Sequence, residues 1–338
     1  MDPSLATGIA VTMIAGLMAG NCMLPLKFLR AWKWENAWLV FSITSLVIVP
    51  WALAFVLVQH LVQIYGALSP QQLAVPVLLG AGWGVAQILF GLSVDRLGLG
   101  IAYAIIVGLS AALGTLVPLF VQQRAMASRH SIGLIVGGVA VMALGIVLTA
   151  HGGRLRESVA DSPSRTIPAH RGYRAAIFLA ILCGVMAPML NYSFAFGQDI
   201  AQQALRMGNS DTHAAYAIWP VALAGGFVPN IAYSLYLISK KQTWPLFRSA
   251  TADLFWSSLM GALWMGAFAL YGMSAIYLGA FGTSVGWGLL QIFMILTATL
   301  SGILTGEWKH APRDAVFSLG SGLVSLAGAI VLLALGSQ

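Results

Sequence analysis

Gly80-Ala81-Gly82-Trp83-Gly84-Val85-Ala86 recurs 181 residues later as Gly261-Ala262-Leu263-Trp264-Met265-Gly266-Ala267. The match runs on through Leu89, Gly91, Ser93, Leu97 and Gly98, which return as Leu270, Gly272, Ser274, Leu278 and Gly279, with Phe90 answered by Tyr271. Nine of nineteen positions are identical, the closing Leu-Gly included, which is more than an apolar composition gives by chance. A fainter echo sets Gly16-Leu17-Met18-Ala19 against Gly184-Val185-Met186-Ala187. The chain reads as a duplication.

Composition says what is duplicated. The 338 residues are 59% hydrophobic and 8% charged, with a mean hydropathy of +0.86. Soluble domains carry about 25% charge, so too few charges exist here to solvate a water-facing surface, which excludes most soluble enzymes. Apolar runs cover 6–28, 36–58, 72–94, 99–121, 131–150, 174–197, 213–238, 255–273, 279–305 and 315–336, broken from one another by charge, Pro or Gly. About 20 apolar residues cross a bilayer as a helix. These runs are too long and continuous for barrel strands, and in hydrocarbon the backbone must satisfy its own hydrogen bonds. The expected fold is an all-α membrane protein with ten transmembrane helices forming two inverted five-helix repeats. The first repeat is placed at 1–151, a cytoplasmic linker at 152–173 and the second repeat at 174–338. An odd number of crossings per copy turns the second copy over, the arrangement of many secondary transporters. Met1-Asp2-Pro3-Ser4 supplies no basic n-region, so the first run is read as a retained helix rather than a cleaved leader.

Fourteen of the seventeen Lys and Arg residues fall in alternate links, around 27–33, 96, 154–174, 240–248 and 309–313, and three in the others, Arg124, Arg129 and Arg206. Basic links stay in the cytoplasm, so both termini are predicted on the periplasmic side. The charge of +7 is spread through links rather than gathered on one face, which argues against nucleic acid as a partner. Cys22 and Cys183 lie inside apolar runs and read as packing residues. No metal-ligand spacing, phosphate loop or nucleophile with a paired base is present, so no cofactor and no enzymatic activity are expected.

Asn21, Gln87, Asn191, Asn230 and Gln291 sit within apolar runs, where an amide must find partners or cost free energy. Trp83 and Gln87 are four apart, as are Trp287 and Gln291, so each pair puts an indole and an amide on one helix face. That pairing suits a sugar: the ring packs on C–H groups while the amide bonds hydroxyls. Asn21, Trp83, Gln87, Asn191, Trp264, Trp287 and Gln291 are the predicted substrate-binding residues, with helix-to-helix glue as the bland alternative. No Asp or Glu lies in the middle of a run, so proton-coupling groups are sought at span ends: Asp199 after the sixth run and Asp211 opening the seventh. Glu35, Asp95 and Glu307 neighbour Lys33, Arg96 and Lys309 and read as local ion pairs. Small residues four apart, as at Gly16/Gly20, Gly80/Gly84, Gly133/Gly137, Gly282/Gly286 and Gly302/Gly306, are read mainly as close-packing sites.

Pro25-Leu26-Lys27, Trp32-Lys33-Trp34-Glu35, the Gly80–Gly84 stretch, Leu97-Gly98-Leu99-Gly100, Gly114-Thr115-Leu116, Pro220 to Asn230, Trp287, Gly306-Glu307-Trp308 and Ser318-Leu319-Gly320 together resemble the bacterial L-rhamnose–proton symporters of the drug/metabolite transporter superfamily. The likeness covers nearly the whole chain. It implies a ten-helix inverted-repeat fold, inward symport of a 6-deoxy sugar with protons, a place in the bacterial inner membrane, and a monomer or weak dimer with no partner beyond substrate, protons and the lipid bilayer. Two rival readings stay open on sequence alone: an exporter of amphiphilic metabolites or drugs, and a membrane sensor without flux.

Overall fold

A computed structural model describes residues 3–160, 170–249 and 251–338, and those residues contain helices and turns but no strand. Ten helices are long and apolar enough to cross a membrane: α1 (Ser4–Phe28), α2 (Trp34–Leu57), α3 (Pro70–Leu97), α4 (Gly100–Gln123), α5 (Arg129–Ser158), α6 (Tyr173–Arg206), α7 (Asp211–Lys241), α8 (Thr251–Tyr277), α9 (Gly279–Leu304) and α10 (Arg313–Gly336). Their outward faces carry large apolar side chains such as Val56, Leu304, Phe317 and Val324.

Proline and glycine interrupt the helices where they matter. Pro25 tightens the end of α1 into a 3-10 turn over Leu24–Phe28. Just ahead of Pro50, α2 widens into π turns over Thr44–Ile48, and α4 ends the same way over Leu119–Gln123. In α6, breaks fall before Pro188 and at Gly197.

Two ends of the bundle are defined by contacts between links. At one end, Lys27 Nζ meets Glu307 Oε1 at 2.9 Å and Arg156 meets Glu307 Oε2 at 3.1 Å, while Lys241 Nζ meets Glu35 Oε2 at 3.0 Å. Asp253 there accepts from the backbone N–H groups of Arg30, Ala31 and Trp32 at 2.8–2.9 Å. This is the basic face. At the opposite face, Asn209 bonds both backbone groups of Gln59, and Gln72 donates to Asp199. The pairing on the basic face corrects the expectation of local ion pairs. Glu35 reaches Lys241 and Glu307 reaches Lys27 and Arg156, because Lys33 stands outside the helix as its extended N-cap and Glu307 and Lys309 lie in the turn after α9, where the packing of other helices brings in the partners.

Contacts at glycine set the helix neighbours. A Cβ on Gly80 of α3 would stand 1.8 Å from the Ala222 carbonyl oxygen of α7, and one on Gly225 would stand 1.9 Å from that of Val77. A Cβ on Gly16 of α1 would stand 2.3 Å from Phe293 Cβ of α9, and one on Gly20 would stand 2.4 Å from Thr297 Oγ1. Along α5 and α10, Ile135 meets Gly336, Gly145 meets Leu326 and Gly152 meets Ala315, so the two run antiparallel. A Cβ on Gly133 or Gly137 would meet no atom of another described element within 4 Å, so that spaced pair serves no close approach between described helices.

The Glu307 cluster ties together the basic ends of α1, α5 and α9. Its hydrogen bond from Lys27, helped by Arg156, holds its carboxyl below the ordinary glutamate range. A carboxyl with a lowered folded pKa contributes its tie fully above its unfolded pKa and loses it only as pH falls through the folded one. Across neutral pH the tie therefore stays constant. Glu307→Gln should raise the alkylation rate of a cysteine placed at Ala298 on the basic side by up to about fivefold, as an exposed pair worth up to about 1 kcal/mol allows; an unchanged rate would remove the cluster as a tie.

Candidate functional site

The two tryptophans of the repeated motif meet. Trp83 of α3 and Trp264 of α8 stack with ring centroids 5.3 Å apart and planes 25° from parallel. From that pair an aromatic layer spreads through the bundle. Trp264 packs on Phe268 at 4.3 Å, Phe268 on Trp219 at 5.9 Å, Trp219 on Phe194 at 4.9 Å, and Tyr271 on Trp287 at 5.9 Å. Trp287 is fixed by its Nε1–H, which donates to the Ser110 carbonyl at 3.1 Å. Gly114 lets that indole in, since a Cβ there would lie 2.2 Å from Nε1.

Asn191 is the polar centre of this layer and is fully buried. Its Nδ2 donates to the carbonyls of Gly114 and Thr283, both at 2.9 Å, and its Oδ1 accepts from the Tyr271 hydroxyl. One side chain of α6 thus joins α4, α8 and α9 in the shape captured here. Asn21 ties α1 to α9 by accepting from Ser301 and returning its amide to Leu17. Gln87 is half-buried and Gln291 is 6% exposed, and neither amide makes a hydrogen bond to any described residue. Each sits one turn toward the basic face from its tryptophan.

A cavity of about 490 Å³ opens at the opposite face, lined by Gln122, Gln123, Gln198, Thr283 and Asp211 with Phe194 and Ala275 among its apolar walls. The π turn ending α4 carries Gln122 and Gln123 into it. Gln122 donates to Ala195 O at 2.9 Å and Gln123 to the Thr283 hydroxyl at 2.8 Å. Thr283 also supplies the carbonyl held by Asn191, so the aromatic and amide layer begins where this cavity ends. A second cavity of about 290 Å³ opens at the basic face, walled by Phe90, Tyr103, Ile295, Thr299 and Glu307. Phe90 is three residues beyond Gln87 and Ile295 four beyond Gln291, which places that cavity about one turn from both free amides.

Of the two span-end carboxylates, Asp211 lines the larger cavity and makes no hydrogen bond or ion pair to a described residue. Ser210, not Asp211, caps its helix, accepting from His213 N–H. Asp199 is exposed and accepts from Gln72 at 3.1 Å. The structure thus gathers Trp83, Trp264, Trp287 and Asn191 into one layer, leaves Gln87 and Gln291 beside it, and puts Asn21, Asp199 and Asp211 elsewhere. Tyr271, Phe194 and Trp219 belong to the layer and were not foreseen. The signal for Tyr271 was a tyrosine deep in an apolar run, whose hydroxyl needs a partner when buried. Cys22 and Cys183 are both buried and free.

The family model described as L-rhamnose-proton symport protein matches residues 1–337. Proteins named L-rhamnose-proton symporter from Salmonella dublin and Salmonella enteritidis are each 26% identical to this chain, and one from Salmonella gallinarum is 25% identical, with all of both chains covered in every case. The protein is a multi-pass membrane transporter and not an enzyme. With its ten apolar helices and a match from end to end, the chain belongs to the L-rhamnose-proton symport protein family.

Proposed function

We propose that this protein imports L-rhamnose or a related monosaccharide together with protons by alternating access, with its basic face in the cytoplasm and both termini outside. One observation carries the reading: two cavities open at opposite faces, and a layer of indole, phenol and amide groups separates them. The larger cavity exceeds a single sugar in volume and is lined by amides and a carboxylate, chemistry that suits hydroxyls better than an amphiphilic drug. The names of the Salmonella relatives point to the same substrate and ion.

The inverted-repeat reading, residues 1–151 against 174–338, draws support from two contacts. Equivalent residues of two halves related by a two-fold touch only near its axis, and Trp83 touches Trp264. The fifth helix of each half, α5 and α10, pairs antiparallel, as inversion requires.

In this reading the sugar arrives through the larger cavity, the layer parts, and Gln87 and Gln291 bond its hydroxyls while Trp83, Trp264 and Trp287 stack on its ring. Asn21 closes the binding region toward α1, and Asn191 exchanges a helix contact for a substrate hydroxyl. Asp211, free of described partners and lining the larger cavity, takes up a proton from outside, with Asp199, held by Gln72, as the second candidate. Proteoliposomes loaded with the protein should accumulate labelled L-rhamnose when the outside is made acidic, and fail to do so without a pH difference. Gln87→Ala and Gln291→Ala should each raise the Km about five- to tenfold, the worth of one lost hydrogen bond of about 1–1.4 kcal/mol. Neither amide bonds a described residue, so no hydrogen bond within the described protein is lost, and the cost to folding is confined to the space that the truncated Gln291 leaves. Unaltered kinetics in both variants would remove them from the site.

A further inference from the structure

Among the described residues two carboxylates are almost wholly buried, Glu35 and Asp253, each 1% exposed and each at the basic end of the bundle. Asp253 is fully engaged, since its two oxygens accept three backbone N–H groups. Glu35 is half engaged. Its Oε2 accepts from Lys241, and its Oε1 is buried without a partner. A buried carboxylate oxygen with no donor is costly, and a proton on that oxygen removes the charge that makes it so. Lys241 is 53% exposed, so the pair stands where buried protein gives way to water.

Glu35 also terminates a polar track. Trp38 and Ser42 follow it three and seven residues on, along the same side of α2. Trp38 Nε1 donates to Asn230 Oδ1 of α7 at 3.1 Å, Asn230 Nδ2 donates to Gly226 O at 2.8 Å, and Ser234 donates to Asn230 O at 2.9 Å. Ser42 has a buried hydroxyl with no partner. Gly226 lies under Trp83, with a Cβ there 2.8 Å from the indole ring. The α2–α7 seam therefore carries polar groups from the stacked tryptophans to the basic face, with Glu35 at its outlet.

We propose that Glu35 is the carboxylate that carries the translocated proton on the cytoplasmic side of the layer, and that its protonation releases α2 from α7. The assignment rests on the proton-coupled reading above. Protonation at Oε1 takes Glu35 from −1 to neutral, so Lys241, still charged, loses its partner and turns to water. The seam then opens, the π turns at Thr44–Ile48 offering α2 a place to bend, and the wetted carboxyl gives its proton to cytoplasmic water and pairs with Lys241 again. The ionisable groups on the segments packed around Glu35 are Lys240 and Lys241 of α7, Arg248 of the following turn, Asp253 of α8, and Arg30 and Lys33 before α2. Asp253 is held by backbone alone, and of the cations only Lys241 bonds Glu35.

The test uses the full chain in proteoliposomes with labelled L-rhamnose and three readouts: accumulation driven by a pH gradient, exchange without a gradient, and proton movement induced by sugar. Glu35→Gln should lose accumulation and sugar-induced proton movement while exchange stays within about threefold, because exchange needs no proton to leave. Lys241→Gln keeps the carboxyl and should still move protons with the sugar. Glu35→Gln that accumulates like the unaltered protein overturns the assignment, as does equal loss of all three readouts in both variants, which marks a mere strut. Should the amide variant not fold, Glu35→Asp decides: it keeps the carboxyl, so exchange without coupling in that variant overturns the assignment. Absence of proton movement in the unaltered protein overturns the symport reading, and this assignment with it.

Discussion

Replacing Asn191 with Ala is expected to abolish L-rhamnose uptake and to cost the folded protein about 2–4 kcal/mol. The side chain has no exposure and makes three hydrogen bonds, two given to the carbonyls of Gly114 and Thr283 and one taken from Tyr271. In a membrane each such bond contributes about 0.6 kcal/mol on average, which sets a floor of about 2 kcal/mol for three. Alanine also leaves the Tyr271 phenol with only a long contact to the Thr283 carbonyl at 3.4 Å and two carbonyls without this donor in an apolar surround, which together add about 1–2 kcal/mol. The loss of transport has a separate cause. Asn191 holds α4, α6, α8 and α9 together at the floor of the larger cavity, so without it the layer that keeps the two cavities apart loses its shape. Tyr271→Phe removes one donor and should cost about 1 kcal/mol, with uptake reduced but measurable. The double variant should cost less than the two singles summed, since both break the same bond. Thermal unfolding in detergent and uptake in proteoliposomes measure the two effects, and an alanine variant with full uptake and an unmoved unfolding midpoint would refute the role given to the layer.

Much of the fold was legible because hydrocarbon imposes one rule on every span. Ten apolar runs gave ten helices whose ends differ from the expected ones by a few residues in most cases and more for α5 and α6, where polar residues such as Glu157 and Gln202 continue a helix beyond its apolar part. The repeated Gly-Ala-x-Trp motif was legible too, and its tryptophans proved to face each other. What could not be read was which polar group would find which partner. Asp253 gave no sequence sign that backbone N–H groups more than 220 residues away would enclose it. Glu35 stood two residues from Lys33 yet bonds Lys241. The amides show the same limit in reverse: five looked alike within their runs, but Asn191, Asn230 and Asn21 bond the protein while Gln87 and Gln291 bond no described residue. Periodicity gives the face a residue occupies, and only the packing of distant helices decides whether a partner waits there. The glycine pairs divide likewise, Gly80/Gly84 being pressed on α7 while a Cβ on Gly133 or Gly137 would meet no other described element.

That division makes the second large effect predictable. Gly225→Val should prevent α3 and α7 from docking and leave little folded protein in the membrane, whereas Gly133→Ala should be nearly silent. At Gly225 an added Cβ would sit 1.9 Å from the Val77 carbonyl oxygen and 2.8 Å from the Ala81 nitrogen, and at Gly80 it would sit 1.8 Å from the Ala222 carbonyl oxygen. These neighbours are backbone atoms, which cannot rotate away as a side-chain tip does, so the helices must separate by more than 1 Å along the seam. Overpacking in a dense interior costs about 1–3 kcal/mol even where side chains can yield, and here the contacts given up include Gly84 on Gly226 and Pro229 and Trp83 on Gly226. The small-residue contacts are what draw membrane helices together, since lipid supplies no hydrophobic drive between them. Gly225→Ala adds a single methyl and should fold poorly, with a lowered unfolding midpoint in detergent, and any protein that folds should transport weakly because Trp83 rides on the displaced seam. If the valine variant unfolded at the temperature of the unaltered protein, the close approach of α3 and α7 would be wrong, and with it the seat of the stacked tryptophans.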